Sequence, residues 1–345
     1  MQLLDLIINK YKIISVVGMA KNSGKTVTLN GIIEEAIDND IRLGITSIGR
    51  DGEKQDIVTF TEKPLIYISK GTIIATAEEI FKVCEANLEI LEMTDYNTSL
   101  GRVVIARAIS PGYVQIAGPC TNSDIKKVAG RMLVYGVDVA IVDGALDRVS
   151  SASPSITEAT ILATGAVLSR DMNKVIEKTA HQVKLFSLDA NDDEEVNIIA
   201  QRAFEDKRIY IIDDKRDVEV LDIKTALGAG RKIAGALNDN SKYVIISGSL
   251  VTKTLKDIIT CTKLFRNVTF IIKDATKIFI EYKDWLYFKK VGVNLRVMEK
   301  INILAVTINP YSPLGYYFSP EEFMDKMQDI LNPVPVLDMM MKDVR

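Results

Sequence analysis

The residues with the clearest capacity for chemistry are Gly24, Lys25 and Thr26, which stand between a strand-like stretch and a helix-like stretch. Free N–H groups at the start of a helix, together with the helix dipole, favour bound anions. Glycine permits close approach of the backbone, lysine reaches the β- and γ-phosphates, and threonine can coordinate Mg²⁺. This order predicts a site for a nucleotide phosphate chain. The alternative is that a chance Gly-Lys-Thr run begins a helix.

The glycine that opens this loop is displaced by one position from the common pattern. Five residues separate Gly18 from Gly24, and Met19 occupies the place where G-x4-G-K-T has its first glycine. We expect the phosphate-binding residues to come from the whole loop and the start of the helix. They are Gly18, Lys21, Asn22, Ser23, Gly24, Lys25, Thr26 and Val27.

Two carboxylates are candidate partners of this loop. Asp143 ends the apolar run "VDVAIVDG", which has the form of a Walker B strand, and Asp51 follows another apolar run in "TSIGRDGE". Carboxylates at such positions bind Mg²⁺ directly or through water. The prediction is a metal site of Thr26, Asp51 and Asp143, with Lys25, Asp51 and Asp143 as the catalytic residues. Both aspartates are also typical of ordinary turns.

The segment after Asp143 is rich in small polar residues. It offers further candidates beside the phosphates, although a helix N-cap cluster would also explain its serines. They are Asp147, Arg148, Ser150, Ser151 and Ser153. Farther along, Asn173 and Lys174 match the first two residues of the guanine-reading pattern Asn-Lys-x-Asp, but residue 176 is Ile. Adenine is therefore the expected base.

Strand-like runs alternate with helical patterns along the chain. Runs that are apolar on both faces favour a mostly parallel sheet covered by helices, so the predicted fold class is α/β of the P-loop NTPase type. The first half has predicted strands at 12–18, 42–49, 102–108, 113–118, 137–144 and 164–169. The second half has predicted strands at 208–213, 242–248, 267–273 and 301–309.

The helical patterns complete this picture. An apolar stripe follows Thr26, and the segment 76–91 also has a helical pattern. Further helices are predicted around 223–238, 250–263 and 320–331. The acidic segment 188–197 is typical of a connection. We expect a nucleotide-binding domain at 1–195 and a C-terminal α/β part at 196–345, which either extends the first sheet or forms a smaller lobe.

Composition excludes several classes of protein. The chain has 345 residues, of which 47% are apolar and 26% charged, with a net charge of −3. No run of like charges favours nucleic acid or anionic lipid, and no apolar run approaches the length of a membrane span. Three widely separated cysteines and no recognisable signal peptide fit a reducing, cytoplasmic location.

The loop spacing carries a resemblance to a known branch of P-loop proteins. "GMAKNSGKT" has the G-x5-G-K-T spacing of dethiobiotin synthetase, with Ala20 replacing the aspartate of that family's G-T-D-T, and "KNSGKT" is similar to the loop of molybdopterin-guanine dinucleotide adapter proteins. Both belong to the branch that includes MinD-type and signal-recognition GTPases. The resemblance implies binding of ATP and Mg²⁺. Lys21 stands one residue from the place of the trans-acting lysine of MinD-type dimers, so a homodimer and a plain loop lysine are both open.

Four segments together extend the resemblance over nearly the full chain. They are "GMAKNSGKT", "TSIGRDGE", "DGALDR" and "TGAVLSRDMNKV". With them the sequence resembles the small P-loop subunit of the lysine 5,6-aminomutase reactivase. That family implies an ATPase that acts with a larger, MutS-like ATPase subunit to replace damaged cobalamin on an adenosylcobalamin-dependent aminomutase.

An aromatic segment near residue 315 is a candidate surface for such a partner. Tyr311, Tyr316, Tyr317 and Phe318 lie in a stretch bounded by proline and glycine. Aromatic residues are enriched at interfaces, but the same residues can close a local core. Two other functions remain open from the residues alone: an ATP-dependent ligase or phosphotransferase related to dethiobiotin synthetase, and a nucleotide-binding scaffold without hydrolysis.

Overall fold

The β-branched runs form strands and the amphipathic patterns form helices in the computed structural model, which describes residues 2–48, 65–144, 152–223 and 225–340. The helices are α1 Leu3–Ile7, α2 Lys25–Asp38, α3 Glu78–Phe81, α4 Asn122–Val134, α5 Met172–Phe186, α6 Glu194–Asp206, α7 Gly230–Ala236, α8 Thr252–Cys261, α9 Tyr282–Val291 and α10 Pro320–Leu331. None of the helices in these ranges is long and apolar enough to cross a membrane.

Twenty strands accompany these helices in the described ranges. They are β1 Ile13–Gly18, β2 Leu43–Ser47, β3 Ile66–Ile68, β4 Ile73–Ala77, β5 Leu88–Thr98, β6 Gly101–Ala108, β7 Gly112–Val114, β8 Val139–Gly144, β9 Ala159–Gly165, β10 Ile209–Asp213, β11 Val218–Leu221, β12 Ser241–Ile246, β13 Leu250–Val251, β14 Thr269–Ile272, β15 Ile278–Phe279, β16 Asn294–Val297, β17 Ile303–Asn309, β18 Tyr311–Ser312, β19 Tyr316–Tyr317 and β20 Val336–Asp338.

The main sheet has nine strands in the order β20-β17-β9-β1-β8-β2-β4-β6-β5. The strands from β20 to β4 are parallel, while β6 pairs antiparallel with both β4 and β5. The predicted α/β class, with a mostly parallel sheet flanked by helices, is confirmed. Because β1 lies between β8 and β9, the carboxyl ends of these three strands are neighbours.

Both faces of this sheet are covered, which explains why its central strands are mostly apolar and buried. One face packs against α1 and α2 through side chains such as Leu29 and Ile32. The other face packs against α4 through side chains such as Ile125 and Met132. Every residue of β1 is buried, so the segment that leads into the phosphate loop is held firmly in the centre of the sheet.

The chain divides into two compact units: Met1–Ala180 with Asn302–Arg345, and His181–Ile301. The second unit has its own sheet in the order β11-β10-β12-β14-β16. Our expected boundary after residue 195 differs from this division, because that position lies inside α6 of the second unit. Of the two alternatives for the C-terminal part, extension of the first sheet applies to β17 and β20, which join the main sheet where β17 pairs with β9, while His181–Ile301 forms a separate unit.

Several element predictions were wrong in detail. The helix predicted at 76–91 is a single turn, α3, because residues 88–98 instead form β5 at the edge of the main sheet. The strand predicted at 164–169 ends at Gly165, and a short 3-10 helix, Ala166–Leu168, follows it. The run 113–118 is a strand only to Val114. In these places sheet pairing, which is not visible in local sequence, decides the structure.

Candidate active site: a phosphate-binding loop beside an acidic strand end

The loop from Gly18 to Gly24 connects the carboxyl end of β1 to the start of α2. The Met19 N–H donates to the carbonyl oxygen of Ala163 at 2.9 Å, which ties the loop to the neighbouring strand β9. Parallel sheets place functional loops at the carboxyl ends of their strands. The predicted phosphate loop therefore lies where an α/β sheet of this kind binds its ligands.

Gly18 and Ser23 close the loop upon itself. A Cβ atom built on Gly18 would lie 2.7 Å from Ser23 Oγ, so no larger residue fits at position 18 without a shift of the loop. Ser23 is only 1% exposed, and its hydroxyl has no hydrogen-bond partner within the described part of the chain. A buried hydroxyl without a partner is costly, and a bound phosphate oxygen would satisfy it.

The start of α2 leaves its backbone amides available. Gly24 is the N-cap with φ +98°, in the left-handed region that glycine tolerates, and no side chain caps the helix. The first N–H groups of a helix have no partner within the helix itself. These amides, together with the dipole of this 14-residue helix, form a binding surface for an anion.

Lys25, at the start of α2, lies beside Asp143, near the end of β8. The Lys25 Nζ atom lies 2.9 Å from Asp143 Oδ1, and it also donates to the carbonyl oxygen of Gly144. Asp143 lies in β8, which pairs in register with β1 so that Val16 is opposite Asp143, and Lys25 begins α2, which follows β1 through the phosphate loop. Burial raises the pKa of the Asp143 carboxyl above its usual value, while the Lys25 ammonium acts in the opposite direction.

The other predicted site residues occupy distinct positions. Thr26 lies in the first turn of α2 and is half-buried, and Lys21 and Asn22 are exposed on the loop. Asn22 has φ 64°, so two residues, Asn22 and Gly24, adopt a left-handed backbone conformation before α2 begins. The side chain of Val27 packs against the core, which leaves only its backbone available to a ligand.

The remaining predicted residues have different outcomes. Asp51, Asp147, Arg148, Ser150 and Ser151 lie outside the described residues. Ser153 is buried and hydrogen-bonds with Ser155 at 2.9 Å, contacts that are typical of a structural role. Asn173 and Lys174 lie in the first turn of α5, after the 3-10 helix that follows β9.

Asn309 is a residue of this region that sequence reasoning missed. A Cβ atom built on Gly24 would lie 2.9 Å from Asn309 Cβ, and Asn309 Nδ2 is 3.5 Å from the carbonyl oxygen of Asn22. The backbone oxygen of Asn309 would lie 2.6 Å from a Cβ atom built on Gly165. The available signal was a polar residue that ends an apolar strand, the same signal that identified Asp143.

The aromatic segment forms a small hairpin directly after Asn309. The exposed fractions are 52% for Tyr311 and 71% for Tyr317, whose ring centroids lie 6.1 Å apart. In contrast, the Tyr316 hydroxyl donates to the carbonyl oxygen of Ala166 at 2.7 Å, and Phe318 is buried. Tyr316 and Phe318 therefore fix the hairpin, while Tyr311 and Tyr317 face solvent, and a partner surface at these two residues stays a prediction.

No group of three or more His, Cys, Asp or Glu side chains arranged to hold a metal occurs in the part of the chain that the structure describes. A metal here would instead depend on Thr26, Asp143 and oxygens of the bound ligand itself, an arrangement typical of Mg²⁺ with nucleotide phosphates. The orphaned Ser23 hydroxyl, the uncapped amides of α2 and the neighbouring Asp143 carboxylate fit a magnesium nucleotide.

Comparisons with known proteins show a structural likeness. No family model matches the chain, and no curated protein matches it. Among solved structures, the signal recognition particle receptor FtsY from Elizabethkingia anophelis is similar with a TM-score of 0.26 and 11% sequence identity, over 94% of this chain and 68% of that one. The geometry of the phosphate loop, rather than this likeness, carries the functional proposal.

Proposed function

We propose that this chain binds the magnesium complex of a nucleoside triphosphate, with ATP as the expected nucleotide, and hydrolyses it. The observation that carries the proposal is the juxtaposition of Lys25 with Asp143, 2.9 Å apart, at an uncapped helix start whose N-cap glycine is left-handed. A Gly-Lys-Thr run that merely began a helix would not require this combination. ATP is preferred over GTP because Ile176 stands where the guanine-reading pattern has aspartate.

The site residues would have different roles in binding the magnesium nucleotide. The amides of α2 and the Ser23 hydroxyl would hold phosphate oxygens, and the Lys25 ammonium would neutralise the β- and γ-phosphates. Thr26 and Asp143 would hold Mg²⁺, which when bound supplies positive charge that stabilises the transferring phosphoryl group. Asp51, which follows β2 in the sequence, would orient the attacking water.

A calorimetric titration tests the nucleotide site. We expect the wild type to bind Mg·ATP, and Lys25→Ala to weaken binding by about 10- to 100-fold, because a hydrogen bond from a charged donor contributes about 1.5–3 kcal/mol. Lys70→Ala serves as the control, since Lys70 is an exposed lysine of the same unit in the turn before β4. Wild-type affinity in Lys25→Ala, or the absence of binding to either ATP or GTP, would contradict the proposal.

We further propose that ATP turnover serves the reactivation of an adenosylcobalamin-dependent lysine 5,6-aminomutase, together with a larger MutS-like ATPase subunit. The four sequence segments that resemble the small reactivase subunit support this proposal. The hairpin residues Tyr311 and Tyr317 offer an exposed aromatic surface that follows Asn309, a neighbour of Gly24, and a change of nucleotide would alter affinity for a partner there.

Recovery of enzyme activity tests this role. The inactivated aminomutase is mixed with both subunits, Mg²⁺, ATP and adenosylcobalamin, and its activity is followed with time. We expect recovery that requires ATP and is lost with Lys25→Ala. If recovery is absent while Mg·ATP binding is intact, the reactivase role fails and the nucleotide site stands.

A ligase or phosphotransferase related to dethiobiotin synthetase is the second candidate. It is favoured by the position of Gly18, which five residues separate from Gly24, and by the close approach of Ser23 Oγ to the place of a Cβ atom on Gly18. ATP turnover that depends on an added amine acceptor, in the absence of any protein partner, would select this function over the reactivase.

A further inference from the structure

We propose that Lys25 and Asp143 form a lock that admits the magnesium complex of the nucleotide and disfavours the free nucleotide. This inference rests on the proposed function and specifies the ligand of the same site. Its starting point is that the cation expected to bind phosphate and the carboxylate expected to bind metal are paired with each other at 2.9 Å.

The Lys25–Asp143 ion pair is partly shielded from water, so breaking it should affect ligand binding. The side chains of Lys25 and Asp143 are 20% and 23% exposed, in contrast to the ion pair of Arg42 and Asp138, where the values are 64% and 36%. The Lys25 ammonium makes a second contact, to the Gly144 carbonyl oxygen. Leaving one charge without its partner costs more in a pair that is partly removed from water than in an exposed pair.

A free triphosphate or a metal ion alone would have to break the Lys25–Asp143 ion pair, and it would leave one of the two side chains without an opposite charge. A free triphosphate that attracts Lys25 leaves the Asp143 carboxylate without its cation and close to the phosphate charges. A metal ion that attracts Asp143 leaves Lys25 without its anion. The magnesium complex brings a phosphate for Lys25 and a cation for Asp143 in one step, so both charges keep an opposite charge.

The test measures binding by calorimetry, with ATP and with inorganic tripolyphosphate, which has no base. Each titration is run with Mg²⁺ and with EDTA. For Asp143→Asn we expect binding of the metal-free ligands to become about tenfold tighter or more, because Lys25 is released from a charged partner. Asp138→Asn, which removes the carboxylate of the exposed pair near the opposite end of β8, should leave both affinities unchanged.

Simple repulsion between Asp143 and phosphate would also make Asp143→Asn bind tighter, so Lys25→Met and the double variant are needed. The lock requires Lys25, and the gain from Asp143→Asn should therefore disappear when Lys25 is already replaced. An equal or larger gain in the Lys25→Met background would show repulsion alone and would overturn the lock.

A second measurement covers the case in which Asp143→Asn does not fold. Lys25→Met releases the carboxylate, so we expect it to bind Mn²⁺ alone more tightly than the wild type does, as measured by electron paramagnetic resonance. No increase would overturn the inference. If the wild type binds neither Mg·ATP nor magnesium tripolyphosphate, the proposed function itself fails. If it binds the complexes but Asp143→Asn brings no gain without metal, only the lock fails.

Discussion

At the scale of single residues, the phosphate loop retains a feature that lowers stability. The Ser23 hydroxyl is buried without a partner among the described residues, and such a group costs about 1–3 kcal/mol when it is left unsatisfied. We therefore expect Ser23→Ala to stabilise the ligand-free protein by about 1 kcal/mol and to weaken binding of Mg·ATP. Denaturant unfolding and calorimetry measure the two effects.

The matched control is Ser15→Ala in the neighbouring strand β1. The Ser15 hydroxyl is also buried, but it hydrogen-bonds with the Thr160 hydroxyl at 2.8 Å. Its loss should lower the free energy of unfolding without a direct effect on the phosphate loop. If Ser23→Ala destabilises the protein as Ser15→Ala does, the hydroxyl of Ser23 has a structural partner and is not reserved for phosphate.

The carboxylate of Asp143 should separate hydrolysis from binding. In Asp143→Asn the side chain keeps its size but loses the negative charge that would hold Mg²⁺. We expect phosphate release from ATP to fall by about 100-fold or more, while binding of the nucleotide is partly retained. Phosphate release at saturating ATP measures the first effect. Hydrolysis at the wild-type rate would remove Asp143 from the catalytic residues.

At the scale of elements, α6 depends on its N-cap. Asp193 Oδ1 accepts a hydrogen bond from the Val196 N–H at 3.1 Å, and Asp193 also pairs with Arg216. Together the backbone hydrogen bond and the arginine hold the pKa of the Asp193 carboxyl below its usual value. Its contribution to stability is therefore full above the unfolded pKa of about 3.9 and is lost as the pH falls through the lower, folded pKa.

We expect Asp193→Ala to lower the free energy of unfolding by about 1 kcal/mol at neutral pH. Asp193→Asn keeps the cap but has no charge. Its free energy of unfolding should therefore fall less than that of Asp193→Ala, and it should depend less on pH in the acid range. Urea unfolding between neutral and acid pH measures both. An identical acid dependence in the wild type and in Asp193→Asn would rule out the carboxylate as its source.

Local sequence predicted those elements whose pattern matches their final environment. The apolar run at 12–18 and the stripe after Thr26 became β1 and α2 with small changes in their bounds, and Asp143 was found because it ends an apolar strand. The segment 88–98 was missed because its alternating exposure as an edge strand depends on pairing with β6. Asn309 was missed because its place beside Gly24 depends on a strand distant in sequence.

At the scale of the whole molecule, all the described site residues lie in the first unit. A ligand that binds only the folded state stabilises the part that holds it, by about 2.7 kcal/mol at 100 times the Kd. We expect saturating Mg·ATP to slow amide hydrogen exchange most at residues 18–28 and 139–144. The hairpin of β5 and β6, at the far edge of the same sheet, should change least. Uniform protection, or none near the phosphate loop, would contradict this placement.

The return of β17 to the main sheet has a consequence for synthesis on the ribosome. Thr28 in α2 hydrogen-bonds with Thr307 in β17 at 2.6 Å, and Gly31 in α2 lies against the end of the Met339 side chain, with no space for a Cβ atom. The helix that would bind phosphate is thus completed by segments translated about three hundred residues after it. A nascent chain that has emerged only as far as the second unit has the Gly-Lys-Thr sequence but lacks its support. We therefore expect the proposed nucleotide site to mature only late in translation.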